Sequence, residues 1–308
     1  MSEFARAELH NASPGRPTAL TIGNFDGVHL GHQHLVRHLI ERAHALGLAA
    51  GAVTLYPDPA RVLRPQEPMP YLTSLEERIE LLDGLGLDLV VPLDFTSELA
   101  ELSPEAFCTL LHGELDMRML LMGPDNVFGR NREATPERVQ AIGERLGFVV
   151  EVLPRPLDAG DSAVSATSIR RALAAGDLDT VVKQLGRPYS LRGPVVEGDR
   201  RGRTIGFPTA NVAVTADRAL PAFGVYATWA YLGETRHASV TNIGLRPTFN
   251  GQRPRVETHI FDFDEDIYDR YLRVELVAFL RSEARFEGLE ALKSQIAIDA
   301  ARARAILG

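Results

Sequence analysis

Strand-like and helix-like segments alternate through residues 18–185, and then six strand-like segments follow one another through residues 191–280 with no helix between them. One sheet cannot serve both patterns. Alternation calls for parallel strands joined by right-handed helical crossovers, a doubly wound α/β layer with helices on both faces. A run of strands without crossovers calls for an antiparallel sheet or a small barrel. The chain of 308 residues is long enough for two domains at roughly 150 residues each, and the change of pattern puts their boundary near Gly186, giving domains 1–185 and 186–308.

In the first half, strands are expected at 18–22, 49–56, 88–94, 117–122 and 148–153. Helices are expected between them. Leu35, Val36, Leu39, Ile40, Ala43 and Leu46 keep a helical period, and Ser74 with Glu77 makes a capping box for a helix through Leu85. Ser103-Pro104-Glu105 reads as a cap followed by an N1 proline, and 136–146, 168–175 and 177–185 complete the helices. In the second half the expected strands are 191–196, 210–214, 224–232, 237–243, 256–263 and 271–280, closed by one long helix over about 288–307.

Composition removes several classes of function. Hydrophobic residues make up 45% and charged residues 24% of the chain, the balance of a globular protein with real cores. The single cysteine, Cys108, cannot form an intrachain bridge and is expected in a core. The longest uncharged stretches, 45–57 and 221–233, are too short to span a bilayer, and residues 1–16 lack the apolar segment of a signal peptide. A formal net charge of −8 disfavours a broad nucleic-acid footprint. These features imply a cytoplasmic enzyme with small-molecule substrates and neither nucleic acid nor membrane as partner. No GxxxxGK[ST] run is present, so any chemistry on ATP proceeds without a P-loop.

Four segments carry chemistry. The first is Gly23-Asn24-Phe25-Asp26-Gly27-Val28-His29-Leu30-Gly31-His32, at the junction of the first strand and first helix. Backbone N–H groups and the helix dipole favour an anion there. His29 and His32 share one helical face, and Gly31 allows a phosphate close to the backbone. Two imidazoles can donate to phosphate oxygens as charge grows at phosphorus. The second is Val164-Ser165-Ala166-Thr167-Ser168-Ile169-Arg170, hydroxyls at a helix start followed by an arginine, suited to a triphosphate. The third runs from Gly198 through Gly202, Arg203 and Gly206 to Phe207-Pro208-Thr209-Ala210-Asn211. Its glycines and arginines suit a flap over phosphates, and Thr209 and Asn211 offer neutral oxygens for a hydrated Mg²⁺. The fourth is Glu257, a lone carboxylate among strand formers and a candidate base for phosphotransfer to an alcohol.

The first segment resembles the HxGH signature of the nucleotidyltransferase superfamily and, in its longer form, bacterial FAD synthetase. Gly206–Asn211 resembles the signature of riboflavin kinase. In this order the two halves are similar to the bacterial bifunctional riboflavin kinase/FAD synthetase family. The resemblance implies a Rossmann-like nucleotidyltransferase domain followed by a small antiparallel β-barrel kinase domain with a C-terminal helix. It also implies that ATP phosphorylates riboflavin to FMN in the second half and adenylylates FMN to FAD in the first, releasing pyrophosphate, with Mg²⁺ as cofactor.

On that resemblance the catalytic residues are Glu257, His29, His32 and Arg170. ATP and phosphates fall to Gly23, Asn24, Phe25, Asp26, Gly31, Ser165, Thr167, Gly198, Gly202, Arg203, Gly206, Thr209 and Asn211. Asp125 and Phe128 are the flavin contacts, and Thr209 and Asn211 the metal ligands. Four positions of the first half depart from the family pattern: Asp58 stands where a histidine is usual, Pro124 and Asn126 alter the loop after the fourth strand, and Ala166 lacks a hydroxyl. Two alternatives therefore stay open, a kinase whose first half is inactive or retuned, and a flavin-binding regulator without turnover.

Among other residues, His34 and His38 lack supporting metal-ligand spacing. The acidic run at 262–266 reads as a solvated hairpin, and Trp229 as barrel packing.

Overall fold

The computed structural model describes residues 3–66, 69–123, 126–154, 164–198, 202, 206–248 and 251–308. Its contacts divide into two units, 1–166 and 167–308.

The first unit begins with helix α1 (Glu3–Ala12), which the sequence pattern does not announce. It is followed by β1 (Thr18–Gly23), α2 (Leu30–Ala45), β2 (Ala49–Tyr56), α3 (Pro59–Leu63), α4 (Leu75–Asp83), β3 (Leu89–Asp94), α5 (Ser97–Ala100), α6 (Pro104–Glu114), β4 (Met117–Met122), α7 (Pro136–Leu146) and β5 (Val149–Val152). The strands form one parallel sheet in the order β3-β2-β1-β4-β5. The order reverses at β1, so the crevice beyond its carboxyl end is where such a sheet receives ligands. Both faces are covered. One face packs Leu20, Ile22, Val53, Leu93, Leu111 and Leu120 against the helices, and Cys108 is fully buried in this cluster. Ala19, Leu39, Ala43, Ala50 and Met119 pack together in another cluster.

The local signals act where chemistry places them. Ser74 and Glu77 form a full capping box on α4, and Ser103 caps α6 with Pro104 at its first turn. Helix α1 is held less by pattern than by tertiary contact. Leu9 is fully buried, worth about 2 kcal/mol, and the Glu8 carboxylate accepts the Asp94 N–H at 3.1 Å.

The second unit opens with most of α8 (Ala166–Ala174) and with α9 (Leu178–Leu185). The Leu173 carbonyl accepts the Ala222 N–H at 3.0 Å, which ties α8 to a loop nearly fifty residues further along the chain. Strands β6 (Ser190–Val196), β7 (Ala210–Val212), β8 (Gly224–Leu232), β9 (Thr235–Thr248), β10 (Gly251–Ile260) and β11 (Tyr271–Ser282) close into an antiparallel barrel in the order β10-β7-β6-β11-β8-β9. Helix α10 (Leu289–Leu307) lies against it.

Inside the barrel, hydroxyls pair with hydroxyls. Thr228 Oγ1 meets Ser239 Oγ at 2.7 Å and Thr241 Oγ1 at 2.8 Å, and Thr241 meets Thr258 at 3.0 Å. All four residues are fully buried, so mutual hydrogen bonding offsets their desolvation. On the outside, α10 covers Val225, Ala227, Val240, Phe261 and Leu280. Arg281 forks onto the buried Asp299 of α10 at 2.7–3.1 Å. Trp229 sits on the outer face, not in the barrel interior, half-buried with the Arg236 guanidinium 4.0 Å from its ring.

Candidate active sites

In the first unit, the β1–α2 junction is a strained loop. Phe25 and Val28 both have positive φ, 49° and 38°, alongside Gly27 at 79°. Such a backbone costs of order 1–3 kcal/mol per non-glycine residue and persists because its surroundings hold it. Asp26 is the main clamp. Its buried carboxylate accepts the N–H groups of Leu72 (3.0 Å) and Thr73 (3.0 Å) and the Thr73 hydroxyl (3.1 Å), and that hydroxyl accepts the Gly27 N–H at 2.9 Å. Arg78, fully buried in α4, approaches Asp26 at 3.5 Å. Sequence reasoning places Asp26 among the phosphate contacts; in the structure its oxygens hold the loop in shape.

His29 caps α2, its Nδ1 accepting the His32 N–H at 3.3 Å. A backbone N–H only donates, so Nδ1 is unprotonated and the ring proton is on Nε2, the atom from which this imidazole can donate to an anion. The two imidazoles stack, centroids 3.6 Å apart and 16° from parallel, and Phe25 meets His32 edge-on at 5.1 Å. Burial, His29 and Arg78, in that order, hold the His32 pKa well below the usual imidazole value. Its Nδ1 is enclosed, with no hydrogen-bond partner among the described residues. The glycines fit by space. A Cβ on Gly31 would lie 3.2 Å from the His29 ring, and one on Gly23 3.3 Å from Phe25.

Two of the four departures have local work. Asp58 caps α3 by accepting the Ala60 N–H at 2.7 Å, and its other oxygen accepts the Asn24 amide at 2.9 Å. An anion at 58 therefore fixes Asn24, whose amide sequence reasoning assigns to phosphate. Asn126 donates to the Ile22 carbonyl at 2.8 Å, tying the loop after β4 to the end of β1. Phe128, the expected flavin contact, is 8% exposed and packs edge-on against Phe107 at 5.5 Å. Pro124 and Asp125 lie outside the described residues, and so does Arg203. Ser165 precedes α8; Ala166, Thr167 and Arg170 lie in it, with Thr167 exposed and Arg170 half-buried. This segment spans the junction of the two units.

In the second unit, register assembles the other site. Glu257 on β10 pairs with Asn211 on β7 and with Asn242 on β9. Opposed residues in an antiparallel ladder share a face, so Asn211, Glu257 and Asn242 form one row across three strands. The buried Thr258 points into the barrel, so the row faces outward. Asn242 carries no signal in the sequence, since its place depends on where the β9–β10 hairpin turns.

The glycines of this motif make room for the row. A Cβ on Gly198 would fall 2.2 Å from Asn211 Nδ2, and one on Gly202 2.3 Å from the Phe207 carbonyl and 3.3 Å from Thr209 Oγ1. Gly206 has φ of +86°, and the Phe207 N–H donates to the Gly202 carbonyl at 2.9 Å. Two neutral oxygens beside such a cradle fit the donor set of a hydrated divalent cation.

The comparisons with known proteins match the two parts of the chain to two families. The FAD synthetase family matches residues 12–168, and the riboflavin kinase family matches residues 185–307. A bifunctional riboflavin kinase/FMN adenylyltransferase of Haemophilus influenzae is 38% identical over 301 residues, 96% of this chain and 97% of that protein. Its counterpart in Escherichia coli is 38% identical over 304 residues, 97% of this chain and 96% of that protein. A crystal structure described as a macrolide-efflux protein from Streptococcus pneumoniae superposes with a TM-score of 0.86 at 29% identity, covering 96% of each chain. Among the described residues here, no helix is long and apolar enough to cross a membrane.

Proposed function

The chain belongs to the bifunctional riboflavin kinase/FMN adenylyltransferases, and from that membership we propose how its residues divide the work. It is an ATP-dependent phosphotransferase and nucleotidyltransferase. One ATP phosphorylates riboflavin to FMN and leaves ADP; a second transfers AMP to FMN, forming FAD and releasing pyrophosphate.

The kinase step belongs to the barrel. Glu257 accepts the proton of the flavin's terminal hydroxyl as that oxygen attacks the γ-phosphorus of ATP. Gly198, Gly202, Arg203 and Gly206 belong to the flap over the phosphates. Thr209 Oγ1 and the Asn211 amide oxygen would hold a hydrated Mg²⁺, whose charge offsets that of the transferred phosphoryl group when it is bound. The observation that carries this reading is the pairing of Glu257 with Asn211, which puts a carboxylate beside a candidate metal ligand.

The adenylyl step belongs to the parallel sheet. His29 and His32 act as neutral hydrogen-bond donors to phosphate oxygens at the N-terminus of α2, with no covalent intermediate. Gly23 and Gly31 let the nucleotide approach, and Asn24, Phe25 and Asp26 keep the loop in register for it. Ser165, Thr167 and Arg170 complete the triphosphate contacts, and Asp125 and Phe128 meet the flavin. The hydrogen bonds made by Asp58 and Asn126 favour an active first half over a decayed one, because these departures brace the loops on either side of β1. We place the functional boundary at 185/186 and the enzyme in the cytoplasm.

The test is chromatography of flavins after incubating the pure protein with ATP, Mg²⁺ and either riboflavin or FMN. FAD from both substrates supports the two-step reading. FMN alone limits the chain to the kinase step, and no product leaves only flavin binding.

A further inference from the structure

Strand β7 contains only residues Ala210–Val212, and its ladder with β10 is limited to Glu257↔Asn211 and Thr258↔Ala210. That pairing stops one residue short of Thr209. Main-chain pairing with β10 therefore places Asn211 but not Thr209, although both are needed if the pair is to hold a cation. What continues the attachment is a side chain. His259, two residues beyond Glu257 on the same outward face of β10, meets the Pro208 carbonyl with its Nδ1 at 2.8 Å. A carbonyl only accepts, so the proton is on Nδ1.

The ring is itself held. Phe207 lies edge-on at 5.5 Å and Phe261 edge-on at 5.7 Å. Phe261 is buried under α10. Arg304 of α10 lies over its ring at 4.3 Å and forks onto Asp262 at 2.7 and 2.8 Å. The imidazole thus links the packed face of the barrel to the residue just before Thr209.

We propose that His259 is a positioning residue for phosphotransfer: by holding the Pro208 carbonyl, its imidazole sets Thr209 beside Asn211 and Glu257. It touches no reacting atom. This rests on the kinase reading of the same site. A displacement of ~1 Å in such a group can cost on the order of a hundredfold in rate, so a single hydrogen bond outside the reacting centre has leverage.

Three variants separate the hydrogen bond from packing. His259→Phe keeps an aromatic ring between Phe207 and Phe261 but removes the donor. His259→Ala removes both. His259→Asn returns an N–H near the position of Nδ1. Each is assayed in the full chain for FMN formation, for FAD formation from FMN, and for binding of a non-hydrolysable ATP analogue with Mg²⁺ by calorimetry.

We expect Phe and Ala alike to raise the KM for ATP and weaken analogue binding by about tenfold or more, and Asn to recover most of the loss. FAD formation from FMN, the first unit's activity, remains unchanged, and a thermal melt of each variant that overlays the wild-type melt reports that the barrel is folded. Wild-type binding and kinetics in His259→Phe would overturn the proposal, as would a loss in Ala alone, which would assign the effect to packing. Failure of the wild-type protein to make FMN would instead remove the kinase reading, and this inference with it.

Discussion

The His29 and His32 imidazoles lie face to face, 3.6 Å between centroids, at the N-terminus of α2. Two cations at that spacing would repel, so the stack is a geometry for neutral rings. The lowered pKa of His32, due first to burial and then to His29 and Arg78, agrees with it.

The stack has a consequence for stability. Between the depressed native pKa of His32 and the ordinary value of about 6.5, the unfolded chain binds a proton that the native one refuses. Linkage then makes stability fall as pH drops below about 6.5 and level off above it. Thermal melts of wild type and His32→Asn, compared at about pH 5 and about pH 7.5, are expected to show a smaller acid loss in the variant. An equal loss in both would show that this imidazole does not govern the acid limb.

Asp58 serves both as the cap of α3 and as the partner of Asn24. Replacing a capping aspartate by alanine costs about 1 kcal/mol, which lowers Tm by roughly 2–4 °C in a domain of this size. Asp58→Ala is expected to show that shift, together with slower FAD formation from FMN and unaltered FMN formation. Calorimetry and the two flavin assays check it. Loss of both activities would mean that the residue supports more than its own unit.

Gly198 has no room for a methyl group while Asn211 keeps its present rotamer. Gly198→Ala is expected to turn the Asn211 amide away and lower kcat/KM for FMN formation by about tenfold or more, with FAD formation from FMN intact. The Mg²⁺ dependence of the kinase step should shift to higher concentration. An unchanged Mg²⁺ titration would separate Asn211 from metal binding.

Asp299, 2% exposed, is matched by Arg281 and by the Gln295 amide at 2.9 Å. Removing one partner of a buried ion pair costs about 3 kcal/mol. Asp299→Ala is expected to destabilise the barrel by that order, measured by urea unfolding, and to loosen α10 without changing the adenylyl step. A loss well under 1 kcal/mol would show that water holds the arginine as well as the carboxylate does.

How much of this is legible in the sequence depends on the range of the interaction. Capping boxes, N1 prolines and the 3.6-residue period act within one turn, and the helices α2, α4, α6 and α7 follow from them directly. Helix α1 is invisible because Leu9 and Glu8 are satisfied by the sheet and by β3, not by their neighbours in sequence. Helix α3, hidden in a proline-rich stretch, depends on one aspartate whose capping role the family pattern obscures. The strand ends lie at 212, 248 and 282 and not at the expected 214, 243 and 280, since pairing partners set where a strand stops.

By itself the sequence determined the order of the strands and of the helices other than α1, α3 and α5, the change from crossover to ladder connections, and the short motifs that place glycine, hydroxyl and imidazole at the ends of elements. These are local properties, fixed by backbone sterics, side-chain period and capping. Tertiary structure alone decided that Asp26 braces a loop through Leu72 and Thr73, that Asp58 answers Asn24, and that Asn242 and His259 stand with Glu257. Each of those depends on register or on a partner distant along the chain. A one-residue change of register would turn the whole outward row into the barrel, and no spacing of residues along a single strand reports which register is taken.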